Sequence, residues 1–398
     1  MRARAKYAYE NVPFYHKLLI ESNIKPTDIK TLRDMEKIPV TTRKVVREQF
    51  SEMLSRRVNK SRCLAHTTSG STGLPLTVVI DDNGKYFRSA VSFRQFLECG
   101  GRLRDRQVQL RPAASSALSE TQGKPIYERM GLLRMESVPL RGISNSLVSF
   151  LKAYEPDIMV GNPSTYQLLC ETVRGEINPR IVFSTGEILT KECRDLMLSA
   201  FGAQVIDSYG CTEAWDVAWE CPDECNRYHI NADAVLVEFH KDGETVVAGE
   251  EGEIIVTNLF NYAMPFIRYA VGDVGVKADD SPICGRTLPL MDVIKGRTGD
   301  FIVLPGGRRL SPAFIDLSPF NNVREFRIVQ EREDLLEIWL KADLDRGVGF
   351  EHRQDKCVSA LRRAVGKDVQ IRVRVMKEIP RDTSGKLRRI VSKVSEQH

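Results

Sequence analysis

The stretch "HTTSGSTGLP", residues 66–75, sets Thr68, Ser69, Gly70, Ser71, Thr72 and Gly73 in an unbroken row between the apolar pieces "CLA" and "LTVVI". Such a row offers hydroxyls and backbone N–H groups at close spacing, and its glycines let the main chain approach an anion and adopt positive φ. Phosphate is the guest these donors suit. The row is not a Walker A loop, because no Gly-Lys-Ser/Thr ends it, and it lacks the Rossmann spacing. Taken alone, it reads equally well as a surface turn.

Four further polar segments follow in order: "SYGCTE" (208–213), "RYAVGDVG" (268–275), "GRTGDFI" (296–302) and "PRDTSGKLRR" (380–389). Each holds a charged side chain. Glu213 and Asp273 are carboxylates. Arg297 and Lys386 are cations; alone in polar segments they would be ordinary solvated charges. A separate set, Cys221, Cys225 and His229 in "ECPDECNRYH" with Cys284 in "ICGRT", offers three sulfurs and an imidazole, a sensible tetrahedral zinc set. The competing reading is a polar loop with free cysteines.

The elements between these segments have a regular texture. "SLVSFLKAYE", "PSTYQLLCETV" and "TKECRDLMLSAFG" have helical spacing, and "DIMVG", "RIVFS" and "QVIDSYG" read as the strands that alternate with them. That alternation predicts βαβ units and a parallel sheet, with ligands at the carboxyl ends of its strands. "STGE" (184–187) and "SYGCTE" fall at two such ends. After about residue 230 short alternating strands predict a smaller antiparallel section, and beyond "GRTGD" a β-β-α-β pattern has the size of a small α+β domain. The fold class expected is α/β: a large N-terminal domain (1–297) with a parallel βαβ sheet plus a smaller β section, and a small mobile α+β C-terminal domain (298–398).

The five segments in this order resemble the adenylate-forming superfamily of acyl-CoA synthetases, adenylation domains and luciferases. "YENVPFY", "IPVTTR" and "CGRTLP" resemble its phenylacetate-CoA ligase-like branch, and the likeness runs from about Tyr7 to Lys393. The resemblance implies that residues 68–73 wrap the outer phosphates of ATP. It sets Gly186 and Glu187 beside the adenine, with Tyr209 stacking near it within Ser208–Gly210. Thr212 would donate to the α-phosphate, Glu213 would hold Mg²⁺, and Asp273 and Arg297 would contact the ribose. Lys386 would bridge the attacking carboxylate and the α-phosphate, where negative charge concentrates. Zinc ligands in the Cys221, Cys225, His229 and Cys284 region also occur among relatives.

Three positions depart from the pattern. The lysine that often follows the first loop is Leu76, the acidic hinge after Arg297 is Gly299, and the first cysteine of the later zinc pair is Pro282, which leaves Cys225 to complete the set. Glycine absorbs large φ/ψ changes, so rotation of the small domain is retained.

The activity so implied is ATP- and Mg²⁺-dependent conversion of a carboxylic acid, aromatic or arylacetic, to an acyl-adenylate, then transfer to coenzyme A with release of AMP. Transfer to an amine, an alcohol or a carrier protein is the alternative. A non-catalytic nucleotide- and zinc-binding protein is the second. The acyl pocket is expected from segments 110–140 and 160–215, where Arg111 is a basic residue without an assigned partner; Trp215 and Trp219 either border that pocket or pack, with packing favoured.

Composition agrees with this class. The chain has 398 residues, 42% apolar and 28% charged, with a net charge of +5. So mild a charge gives no argument for nucleic acid, and nine dispersed cysteines do not form a disulfide framework. No apolar run reaches the roughly 18 residues of a membrane span, and no signal-peptide core follows the basic start. A cytoplasmic enzyme is expected, without a membrane or nucleic-acid partner. The branch raises a homodimer as a further partner.

Overall fold

The computed structural model describes residues 1–67, 76–112, 126–140, 145–173, 175–224, 226–297, 302–305, 309–310, 325–341, 350–381, 387 and 390–394. Helices α1 (Arg2–Asn11), α2 (Pro13–Glu21) and α3 (Arg43–Glu48) open the chain. Strands β1 (Leu64–Thr67) and β2 (Thr77–Ile80) pair antiparallel on either side of the Thr/Ser/Gly row, and α4 (Asp82–Glu98) follows. The Asp81 carboxylate caps α4 by accepting from the Gly84 N–H at 2.7 Å, which satisfies one of the helix's unpaired first-turn donors.

The alternating section predicted from the sequence appears as α6 (Asn145–Tyr154), β5 (Ile158–Gly161), α7 (Pro163–Val173), β6 (Ile181–Thr185), α8 (Lys191–Phe201) and β7 (Gln204–Cys211), and β3 (Arg106–Pro112), α5 (Ile126–Arg129) and β4 (Arg134–Leu140) extend it toward the amino end. The strands are parallel in the order β7-β6-β5-β3-β4. Apolar faces of α6, α7 and α8 close over them through Leu147, Leu151, Leu169, Met197 and Phe201. Thr190 caps the start of α8, and Gly202, at φ 62°, ends it in the left-handed region that glycine enters without strain.

The antiparallel section is not a separate sheet. Strands β8 (Trp215–Glu220), β9 (Arg227–Ile230), β10 (Val235–Lys241), β11 (Glu244–Thr245), β12 (Glu251–Asn258), β13 (Tyr269–Lys277) and β14 (Leu290–Arg297) continue from β7, giving one sheet of twelve strands. The reason lies in "SYGCTE": β7 turns back on itself, and β8 pairs antiparallel with it from Ser208–Trp219 to Cys211–Trp215. Helices α1 and α2 bury Ala5, Ala8, Tyr15 and Leu19 against this half.

A second, four-stranded sheet forms near the carboxyl end. It is built from β17 (Phe326–Arg332), β18 (Leu335–Lys341), β19 (Gln370–Met376) and β20 (Ile390–Ser392), with α9 (Phe350–Val365) against it and the short pair β15 (Ile302–Val303) and β16 (Arg309–Leu310) before it. It has its own core around Ile328, Ile338, Cys357 and Leu361, as expected of an α+β unit.

A buried polar network fastens α8 beneath β7. Arg194 pairs with Glu220 at 2.7 Å, where the carboxylate is 2% exposed, and Glu220 also accepts the N–H groups of Asp207 and Asn226. Beside it, Asp207 accepts from the Tyr228 hydroxyl at 2.9 Å. Burial pushes the Asp207 carboxyl up to about 6, with Glu220 adding to the rise and hydrogen bonds from Tyr228 and Ser184 opposing it. An unfolded aspartate titrates near 3.9. The folded protein therefore binds this proton more tightly, and the stability so contributed is lost as pH rises from about 4 to about 6. Asp207→Asn is expected to remove that loss, leaving the variant about 1–3 kcal/mol more stable than the parent at pH 7 but not at pH 4. Urea unfolding at the two pH values checks it; an equal difference at both overturns it.

Candidate active site

The carboxyl ends of β6 and β7 lie side by side, with Thr185 opposite Ser208. Gly186, at φ 78°, and Glu187 leave β6 at that rim, while Ser208, Tyr209 and Gly210 close β7. Gln95, buried on α4, donates to the Ser208 hydroxyl at 2.5 Å and so ties the helix to the end of β7. Gly210 is required by space: a Cβ there would lie 2.3 Å from the Trp215 carbonyl oxygen, a backbone atom that cannot step aside. Thr212 and Glu213 form the tip of the turn between β7 and β8.

Two tyrosine hydroxyls join this turn to β13. Tyr209 donates to Asp273 Oδ2 at 2.8 Å, and Tyr269 donates to Glu213 Oε1 at 2.7 Å. Both carboxylates are buried, Glu213 at 4% exposure and Asp273 at 7%. Burial and the Glu213 charge hold the Tyr269 phenol well above its usual range, so it remains a donor. Asn258 supports the same turn by donating to the Glu213 carbonyl at 3.3 Å. Arg297 is the β14 residue paired with Asp273; its side chain lies outside the described residues. Glu213, Asp273, Tyr209 and the β6 end thus converge although Gly186 and Asp273 stand far apart in the sequence.

Thr68–Gly73 and Lys386 lie outside the described residues. The entry to the first loop is placed all the same: His66 packs edge-on against Trp215, ring centroids 4.7 Å apart, so β1 delivers the chain to the β7–β8 turn. Trp219, in contrast, is fully buried and packs on His229 at 4.7 Å.

Three of the four candidate zinc ligands come together. Cys221, His229 and Cys284 have ligand atoms within 4.8 Å of one another, and Cys225 lies outside the described residues. Cys284 Sγ is 3.4 Å from His229 Nε2, while His229 Nδ1 faces the Leu288 carbonyl. A tetrahedral zinc with bonds of about 2.0 and 2.3 Å sets such a sulfur and nitrogen roughly 3.6 Å apart. The donor types and spacing fit that ion.

Sequence reasoning did not single out Tyr269, Gln95 or Asn258. Tyr269 stands inside the quoted "RYAVGDVG", so the segment was found and the residue was not. A strand tyrosine four residues before Asp273 is an ordinary core residue by composition; only the three-dimensional meeting with Glu213 distinguishes it.

The AMP-binding enzyme family model matches residues 19–261, more than half of the chain, and the CapK C-terminal domain model matches residues 308–393. The protein belongs to the AMP-binding enzyme family. It is 28% identical to the phenylacetate-coenzyme A ligase of Thermus thermophilus over 418 aligned residues, covering 97% of this chain and 93% of that one. The phenylacetate-coenzyme A ligase of Aromatoleum evansii is 26% identical, with 98% and 91% covered. In fold, the chain resembles a crystal structure of 2-hydroxyisobutyryl-CoA ligase with a TM-score of 0.78 at 23% identity, over 100% of this chain and 89% of that one.

Tyr269→Phe deletes one hydroxyl and leaves the ring in place. Because it strips a hydrogen bond from a buried carboxylate, it should destabilise the protein by about 1.5–3 kcal/mol. Denaturant unfolding at neutral pH is the measurement, and a change below about 0.5 kcal/mol would show that the bond contributes little.

Proposed function

We propose that the protein uses ATP to convert a small carboxylic acid to an acyl-adenylate and pyrophosphate, then transfers the acyl group to coenzyme A with release of AMP. What carries this is the convergence of Glu213 and Asp273, buried and held through Tyr269 and Tyr209, at the carboxyl rim of a sheet in an AMP-binding family member. The likeness to two phenylacetate-coenzyme A ligases over nearly the whole chain supports coenzyme A as acceptor and an aromatic or arylacetic acid as substrate. We divide the chain into a nucleotide- and acyl-binding domain, 1–297, and a C-terminal domain, 298–398, that carries Lys386. ATP and coenzyme A as substrates fit a cytoplasmic enzyme.

In this reading Thr68–Gly73 hold the phosphates that leave as pyrophosphate, using neutral donors that add no fixed charge. Gly186 and Glu187 border the adenine, and Asp273 with Arg297 holds the ribose. Thr212 donates to the α-phosphate. Glu213 would hold Mg²⁺, which when bound offsets the phosphate charge as the acid attacks. A carboxylate already desolvated and oriented by a phenol needs little reorganisation to do so. Lys386 supplies an ammonium where charge gathers between the acid and the α-phosphate. Two half-reactions at one site suit a small domain that brings this lysine in for the first and withdraws it for the second.

Exchange of pyrophosphate into ATP, stimulated by an acid panel, tests the first half-reaction; coenzyme A offered against amines tests the acceptor. Lys386→Ala should lower the exchange rate on the order of a hundredfold, about 2–4 kcal/mol in barrier. Undiminished exchange in that variant overturns its assignment.

We further propose that Cys221, Cys225, His229 and Cys284 bind a structural zinc ion. Four protein ligands would leave no open position for catalysis. Protein purified without chelators should contain about one zinc per chain, and Cys284→Ser should lower both the zinc content and the unfolding temperature. Clearly substoichiometric metal sinks this assignment.

A further inference from the structure

Beside the residues suited to the nucleotide stands a group of side chains that the nucleotide does not use. Trp215 follows Glu213 by two residues and takes a left-handed backbone, φ 63°, which costs a non-glycine residue about 1 kcal/mol or more. Its ring is gripped from two elements: the Arg88 guanidinium of α4 lies 3.8 Å from the ring centroid, and His66 meets it edge-on. The indole N–H is buried and finds no hydrogen-bond partner among the described residues. An unmet buried donor is costly, and an acceptor arriving there would relieve it.

Arg88 has two charged neighbours, Asp216 and Arg111, the latter at the carboxyl end of β3; burial lowers both guanidiniums from their usual range, Asp216 opposes the fall at Arg88, and Arg111 adds to it. Asp216 already accepts from the Ser92 hydroxyl, and Arg111 Nη2 donates to Gln109 Oε1 at 2.5 Å. Burial and Arg88 keep the His66 imidazole toward its neutral form. Two guanidiniums and one carboxylate therefore make up the charge around Arg88. The arginines are planar forks matched to an oxyanion, and the Trp215 ring offers a flat wall for an apolar body.

The place is right for the acid. In open α/β sheets ligands bind outside the carboxyl ends of the parallel strands, and β3 and β7 both end at this rim. Trp215 follows the Thr212–Glu213 turn and carries Arg88 on its ring, so an acid reacting at that turn would have Trp215 and Arg88 as neighbours of its far end, with Arg111 at the end of β3 next to Arg88.

We propose that this rim recognises the far end of the acid, and that the preferred substrate carries a second anionic group, a dicarboxylic acid being the simplest case, bound by Arg111 and Arg88. This rests on the adenylation reading above and narrows its substrate.

The test is pyrophosphate exchange with matched acids: phenylacetate against 4-carboxyphenylacetate, and butyrate against glutarate. The doubly anionic member of a pair should be favoured by at least about tenfold in kcat/KM. Arg111→Gln should reduce that ratio by at least about tenfold, and Arg111→Glu should reverse the preference within each pair. Arg88→Gln repeats the test in protein whose unfolding transition matches the parent; Arg111, only half-buried, carries it otherwise. Exchange confined to the singly charged acids, or a ratio unchanged in Arg111→Gln, overturns this inference alone. Exchange with no acid of either kind overturns the adenylation reading and this inference with it.

Discussion

A buried carboxylate is tolerable only where something donates to it, and Glu213 has such a donor in Tyr269, at 2.7 Å. The bond spans the joint of the molecule. Glu213 sits on the turn where the parallel strands give way to the antiparallel ones, and Tyr269 opens β13, which β9 and β14 separate from β8 in the sheet. Tyr209 and Asp273 make the same crossing in the opposite sense, phenol from β7 and carboxylate from β13. Two such links tie the turn to β13 and join Glu213 and Asp273 in one hydrogen-bonded group.

The N-terminal segment braces this group from outside. Thr41 exchanges backbone hydrogen bonds with Arg268 and Ala270, on either side of Tyr269. Arg268, itself held at φ 47° and 4% exposed, donates to the carbonyls of Glu36 and Ile38 and pairs with Glu238. The strain of that backbone is outweighed by the number of buried partners its guanidinium satisfies. "IPVTTR" thus lies against β13 and fixes Tyr269 in register, which gives a physical reason for a sequence segment that otherwise looks like a connector.

How far the sequence could be read follows from where its information is local. The alternation from 146 to 211 announces parallel βαβ units because each helix and strand carries its own period, and those elements appear where expected. The continuity of the sheet through β8 and β9 is not local. "ECPDECNRYH" is polar, glycine-free and rich in potential ligands, so it reads as a metal loop, yet its two ends are strand: Glu220 closes β8 and Arg227–Ile230 is β9. Both readings hold at once, since the strands are what bring Cys221 and His229 face to face. Pairings such as Tyr269 with Glu213, or His66 with Trp215, leave no trace in spacing, because they depend on which strands become neighbours.

The division between fixed and acting groups then has a structural logic. What must be ready before substrate arrives, the two carboxylates and their phenols, is buried in the large sheet. Lys386, which the proposed mechanism uses in one half-reaction only, falls in sequence between β19 and β20. A cation fixed permanently beside Glu213 and Asp273 would pair with them and blunt the interactions with magnesium and ribose proposed for them. In the proposed mechanism, delivery from a second unit would bring it to the site when ATP has already supplied the opposing charge. Arg88, a cation that is fixed in the large domain, has other company: its guanidinium lies over the Trp215 ring, with Asp216 as the opposing charge.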